Sequence, residues 1–208
     1  TNSILFNSSQ ISGITFDNIF VSPISLGNSS LISFYSENIY DVSISNAFIN
    51  SSYIVFQRSF FNSPVSTASA LSFSNISGNC YETFPYSFIY FHYNPLSYFN
   101  NISNVSFSNI SIEGCNEGFF IGSHEFLVNV SFSDINIDYD NISSSFTGIL
   151  FRSLEVNKIN VSNININSQS FSTVGISSSQ SFSIQINFWW CHECFIDILA
   201  FLFPLYAC

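Results

Sequence analysis

The sequence predicts an all-β parallel β-helix, a solenoid in which each coil pairs with the coils before and after it. Three observations carry this. A unit averaging about 28 residues recurs along the chain. Within each unit, apolar and polar residues alternate with period two. An Asn or Asp recurs at one fixed phase of nearly every unit. An antiparallel β-sandwich also gives many short alternating strands, but it offers no reason for Asn at one phase.

Composition narrows the field first. The 208 residues are 47% hydrophobic and only 8% charged, with 26 Phe, 43 Ser, 25 Asn and 6 Thr. The chain is long enough to bury a substantial core, and its apolar content excludes disorder. The scarcity of Ala, Lys and Glu disfavours a helical bundle. Arg58, Arg152 and Lys158 stand against 13 acids, for a net charge of −10. So few cations cannot neutralise a run of phosphates, so neither nucleic acid nor an anionic membrane surface is an expected partner. The chain contains no Met and nothing at its start reads as a signal peptide, so it reads as a processed chain or a segment of a longer one.

The clearest copies of the repeat are NVSFSNISI from Asn104, NVSFSDINI from Asn129 and KINVSNINI from Lys158. Weaker copies start at Gly13, Asp41, Ala70 and Ser183. Their central apolar residues are Phe16, Ile44, Phe73, Phe107, Phe132, Val161 and Ile186, which predicts about seven rungs. A second apolar patch ends ten residues earlier in four copies, at Phe6, Phe34, Phe151 and Ile176, and eleven earlier at Ile121. Phe56 and Phe91 are the candidates in the two copies with longer gaps. Each unit therefore reads as strand, short turn, strand, bend, strand and a loop of variable length. Within a strand the alternation puts Val105 and Phe107 inside, Ser106 and Ser108 outside.

Two residues after the central apolar position stand Asn18, Asn46, Asn75, Asn109, Asp134 and Asn163; the last copy breaks the pattern with Phe188. The following residue is apolar again, which places the amide at a bend, where Asn tolerates left-handed backbone conformations. Stacked amides one rung apart can bond to one another, forming an Asn ladder. In repeat shape and ladder, over about residues 3 to 187, the chain resembles the right-handed parallel β-helix superfamily, which includes pectate-lyase-like enzymes, tailspikes and surface adhesins. The resemblance implies a right-handed coil and carries no catalytic signature.

After Asn187 the composition changes. Residues 188–208 contain neither Ser nor Asn, and the apolar run from Phe195 is too short to span a bilayer. This predicts a β-helix over 1–187 and a C-terminal cap or subunit-contact segment over 188–208; a truncated membrane span and an incorrectly inferred tail are the alternatives. Cys80 and Cys115 follow the central residues of consecutive rungs at nearly the same phase, so a rung-to-rung disulfide is geometrically natural, with two unrelated thiols as the alternative. Cys191, His192, Glu193 and Cys194 invite a zinc reading, but a single Cys-X-X-Cys supplies only two ligands and Cys208 would have to fold back. No metal and no cofactor is expected; a local or intermolecular disulfide fits better.

Ten Asn-X-Ser/Thr sequons occur. Asn7, Asn28, Asn50, Asn101 and Asn141 fall in predicted turns or loops, and Asn104, Asn129 and Asn160 at outward strand phases. These eight are candidate N-glycan acceptors. Asn75 and Asn109 belong to the ladder and are expected to be unavailable. For carbohydrate chemistry, Asp138 and Asp140 are spaced to share a strand face, with Glu82, Glu113 and Glu117 in neighbouring loops, and a glycosidase needs two such carboxylates. His92 and His124 lie at different phases. The resulting expectation is a structural, extracellular or cell-surface glycoprotein that self-associates, with no chemistry of its own; the alternative is a carbohydrate-active enzyme or binding module of pectate-lyase-like fold.

Overall fold

A computed structural model describes residues 4–21, 29–50, 52–57, 66–79, 87–91, 99–114, 117–139, 147–168, 172–181, 184–191 and 194–200. They form β1 (Ile4–Asn7), β2 (Gln10–Asp17), β3 (Phe20–Val21), β4 (Ser29–Tyr35), β5 (Asn38–Asn50), β6 (Ser52–Gln57) and β7 (Thr67–Asn79). There follow β8 (Ser87–Phe91), β9 (Phe99–Glu113), β10 (Glu117–Tyr139), β11 (Thr147–Ser168), β12 (Ser172–Ser181), β13 (Ile184–Cys191) and β14 (Cys194–Ala200). Every pairing among them is parallel, so the chain is an all-β solenoid.

One face stacks β1, β4, β6, β8, the start of β10, the start of β11, β12 and β14. A second stacks β2, β5, β7, β9, the remainder of β10 and β11, and β13. Phe16, Ile44, Phe73, Phe107, Phe132, Val161 and Ile186 are successive partners on this second face. A third begins beyond the Asn bend, where β3 pairs with the end of β5. Four turns are described without interruption, residues 4–21, 29–50, 117–139 and 147–168. The expected seven rungs are corrected to about four complete turns. The reason is that loop length varies from coil to coil, and several of the loops that would close a turn lie outside the described residues.

The alternation read from the sequence is the physical basis of the core. Val105 and Phe107 are buried while Ser106 and Ser108 reach solvent. Phe6, Phe34, Phe56 and Phe91 stack with ring centroids 5.2, 4.7 and 4.8 Å apart, so Phe56 and Phe91 fill the column in the two long-gap copies. Phe73, Phe107 and Phe132 form a second stack at 4.8 and 4.3 Å. Edge-to-face contacts join the two faces across the lumen, Phe56 to Phe73 at 5.6 Å and Phe119, in the column of Ile89, to Phe132 at 5.1 Å. Such ring pairs add to area burial, so the Phe content is what welds the first face to the second.

The boundary expected after Asn187 falls inside β13, which pairs with β11 on both sides of it, and β14 continues the first face by pairing with β12. The change in composition is therefore not a break in the sheet.

Two glycines make room for close packing. Gly78 stands in a column between Ile49 and Ile112, and a Cβ there would overlap the Phe88 ring that fills the gap. At Gly118 a Cβ would lie 2.6 Å from the Gly148 carbonyl oxygen and 2.9 Å from Ile137 Cδ1. Backbone cannot yield as a side chain does, so Gly118→Ala is expected to cost about 1–3 kcal/mol, read as a lower urea midpoint at unchanged slope.

Candidate functional site

The Asn positions at the bend all adopt the left-handed conformation: Asn18 (φ 55°), Asn46 (50°), Asn75 (52°), Asn109 (50°), Asp134 (56°) and Asn163 (53°). Few side chains tolerate this, which is why the sequence repeats one residue type here. Asn109 Nδ2 donates to Asn75 Oδ1 at 2.8 Å, Asn75 Nδ2 to Asn46 Oδ1 at 3.1 Å, and Asn163 Nδ2 to Asp134 Oδ1 at 2.9 Å. Every donor points to the preceding coil. On the outer surface nearby, Asn165 Nδ2 donates to Asn136 Oδ1 at 2.6 Å in the same sense.

This polarity makes Asp134, within the column, and Asp17, beside its first member Asn18, distinct. Asp17 terminates the column. Its Oδ1 accepts Ser45 Oγ at 2.8 Å and Asn46 Nδ2 at 2.7 Å, and its Oδ2 accepts Asn18 Nδ2 at 2.8 Å. The bonds from Ser45 and then Asn46 hold its carboxyl below the usual carboxylate value. A depressed folded-state pKa contributes stability that is present above the unfolded value and lost as pH falls through the folded one. The expected result is an acid-side loss that Asp17→Asn flattens, measured as thermal midpoints through and below about pH 4.

Asp134 sits mid-column. Its Oδ1 accepts from Asn163 Nδ2, but the side chain carries no amide N–H to offer Asn109 Oδ1. Asp134→Asn restores a donor while keeping the acceptor, and is expected to stabilise by about 0.5–1.5 kcal/mol in urea unfolding.

A second corner, unforeseen from the sequence, precedes each of these by five residues. Gly13, Asp41, Ala70, Asn104, Asn129 and Lys158 all have φ between 53° and 66°. The signal was present only in part, because Gly, Asp and Asn advertise a left-handed bend while Ala and Lys do not. Asn104 and Asn129, expected at outward strand phases, are exposed within β9 and β10 and also hold this corner's left-handed backbone, and Asn129 Nδ2 donates to Asn104 Oδ1 at 2.7 Å. A third, polar corner was also missed: Ser36, Ser66, Ser123 and Ser153 are buried, and Ser123 Oγ donates to Ser153 Oγ at 2.8 Å.

The corners explain many of the sequons. A corner Asn is followed by an inward apolar residue and an outward Ser, which spells the sequon at Asn75, Asn104, Asn109 and Asn129 from geometry alone. Of the other acceptor candidates, Asn7 and Asn160 are exposed on β1 and β11, and Asn50 is half-buried at the end of β5. Asn101 lies within β9 rather than in a loop, and its Oδ1 is buried without a hydrogen-bond partner. Asn28, Asn141, Cys80, Cys115 and Cys208 lie outside the described residues. Cys191 ends β13 and Cys194 begins β14, while His92, His192 and Glu193 lie outside the description. Glu113 and Asp138 are partners on neighbouring coils; Glu82 and Asp140 fall outside. Among the described residues no group of three His, Cys, Asp or Glu is placed to hold a metal.

Between the two corners the second face presents outward hydroxyls and amides in two columns. Thr15, Ser43, Ser72, Ser106, Ser131 and Asn160 form one; Asp17, Ser45, Ser74, Ser108, Ser133 and Ser162 form the other. Asp17 is the single ionisable residue in either. Comparison with known proteins finds no matching family model, no matching curated relative and no matching solved structure.

Proposed function

We propose that this chain is a structural protein of the cell surface or extracellular space, a coat, adhesin or filament subunit built on a right-handed β-helix related to the pectate-lyase-like and adhesin superfamily. The observation that carries the reading is the second face, a regular two-column array of hydroxyls and amides, neutral but for Asp17 at its first coil, laid on a stacked aromatic core. Such a face is soluble without charge and repeats at the coil spacing, about 4.8 Å. N-glycans add to that solubility; exposed Asn7, Asn104 and Asn160 are the favoured acceptors, with Asn28, Asn50, Asn101, Asn129 and Asn141 as further sequons. A Cys80–Cys115 bridge belongs to the same oxidising setting. Protease shaving of intact source cells, followed by peptide mass spectrometry, is expected to release peptides of this chain carrying glycans. Retention of the chain inside intact cells, with unmodified sequons, contradicts the reading.

One observation favours the carbohydrate-active alternative. Glu113 and Asp138 are register partners on adjacent coils, which places two carboxylates on one surface. Release of reducing ends from plant or microbial polysaccharides, lost in Glu113→Gln and Asp138→Asn, would replace the structural reading with an enzymatic one.

A further inference from the structure

Six serines in the middle of the second face have hydroxyls with no partner among the described residues. Ser72, Ser106 and Ser131 stand in one column, Ser74, Ser108 and Ser133 in the other. By contrast Ser45 Oγ donates to Asp17 and Ser162 Oγ to the Phe132 carbonyl oxygen. The parallel ladders fix each of the six against its neighbours, so together they form a rectangular net. Its step along the axis is the coil spacing, about 4.8 Å, and its step across the strand is two residues of rise, about 6.6 Å. The net is also flat. Beneath it Phe73 and Phe107 stack with an interplanar angle of 7°, and Phe107 and Phe132 with one of 16°, so these coils stack with little twist. Sheets lose their usual twist where side-chain stacks and ladders hold them, and both are present here. No charged residue interrupts either column over these three coils. The rim carries Asn75, Asn109 and Asp134 on one side and Ala70, Asn104 and Asn129 on the other.

We propose that this net binds ice, its hydroxyls taking the places of water oxygens on a prism face of the crystal. The proposal rests on the second face being the working surface of an extracellular protein, and it names that surface's partner. A soluble ligand is held in a concave site by a few convergent groups. Equal hydroxyls spread over a plane converge on nothing, and their bonds add up only against a partner that is itself a plane with the same repeat. The oxygens of an ice prism face form such a rectangular net, with repeats close to the two steps of this one. A serine hydroxyl donates one hydrogen bond and accepts two, so from a net position it bonds to surrounding water in both senses. Neutrality favours the same partner, because a charged side chain orders water around itself and has no place in the ice lattice. A crystalline polysaccharide is the other neutral surface with a repeat, but sugar rings are held by stacking on outward aromatic faces. Phe73, Phe107 and Phe132 are all buried in the lumen, and the two outward columns carry no ring.

The test is slow growth of ice from a dilute solution of the full 208-residue chain. The chain is expected to be enriched in the ice over the remaining liquid, and to impose flat facets on single crystals held just below the melting point. Ser72→Lys with Ser106→Lys puts two charges in the net and should lower the enrichment at least about tenfold, with folding checked by circular dichroism. Ser106→Ala removes one hydroxyl without adding charge; it should lower the enrichment by less, and it is the readout if the Lys pair does not fold. Ser77→Lys, at an exposed position beyond the Asn bend, should leave the enrichment unchanged. Exclusion of the folded chain from ice overturns the proposal, as does an equal loss in Ser77→Lys. Binding to powdered chitin or cellulose through Ser72 and Ser106, in place of ice, overturns it as well. None of these outcomes depends on where the chain resides, so this experiment and the shaving experiment fail separately.

Discussion

Truncation of Phe107 to Ala is expected to destabilise the folded chain by about 3–5 kcal/mol, the range for emptying a large aromatic site in a packed core. Phe107 is 1% exposed and touches rings on three sides: Phe73 at 4.8 Å, Phe132 at 4.3 Å and Phe119, edge-on, at 5.3 Å. The two stacked neighbours belong to adjacent coils and are fixed by strand register, so the walls cannot collapse inward without breaking the ladders above and below. The third neighbour ties this column to the opposite face, so the cavity also loosens the cross-lumen weld. Urea unfolding followed by circular dichroism measures the loss, and a Phe107→Leu chain should recover a large part of it by restoring volume. Because each coil contacts only its neighbours, the effect should exceed that of the same change at Phe16, which is only partly buried.

The second large effect is at the corner. Asn109→Ala should cost about 1.5–3.5 kcal/mol, from two separable sources. The amide bond from Nδ2 to Asn75 Oδ1, at 2.8 Å, contributes about 0.5–1.5 kcal/mol. Holding an ordinary side chain at φ 50° costs roughly another 1–2 kcal/mol, which Asn offsets by its tolerance of this region. Asn109→Gly separates them, since glycine keeps the bend and loses only the bond, so it should be damaged by less than Ala. Equal losses for the two substitutions would remove the left-handed corner from the account.

The repeat was legible because its physics is local. Period-two alternation at Val105, Ser106, Phe107 and Ser108 fixes which face is buried, and a recurring Asn reports a backbone conformation that few residues accept. The corner five residues earlier was hidden because Ala70 and Lys158 hold the same φ through tertiary constraint rather than preference. The polar corner was hidden for a different reason: Ser36 and Ser66 look like surface serines in a Ser-rich chain, and only the coil geometry buries them. At Asn104 and Asn129 the corner favours Asn and the strand then places an outward Ser two residues later, so the coil geometry alone writes a sequon there. The change in composition after Asn187 reads as a boundary, and β13 runs across it because strand pairing depends on the backbone.

The central claim is that consecutive units stack in parallel and in register, unit on unit. A disulfide between Ser72→Cys and Ser106→Cys tests it most directly. These residues are separated by 34 positions in sequence yet are partners on adjacent coils, both facing outward. Neighbouring strands bring partner Cα atoms to about 4.8 Å, inside disulfide range, whereas Ser72→Cys with Ser108→Cys lies a diagonal step away, beyond about 7 Å. Near-complete bridging of 72 to 106 is expected in the folded chain, with little of 72 to 108, mapped by peptide mass spectrometry. Bridging of 72 to 108 in preference, or no bridging in a chain that folds, would contradict the parallel register and the solenoid with it.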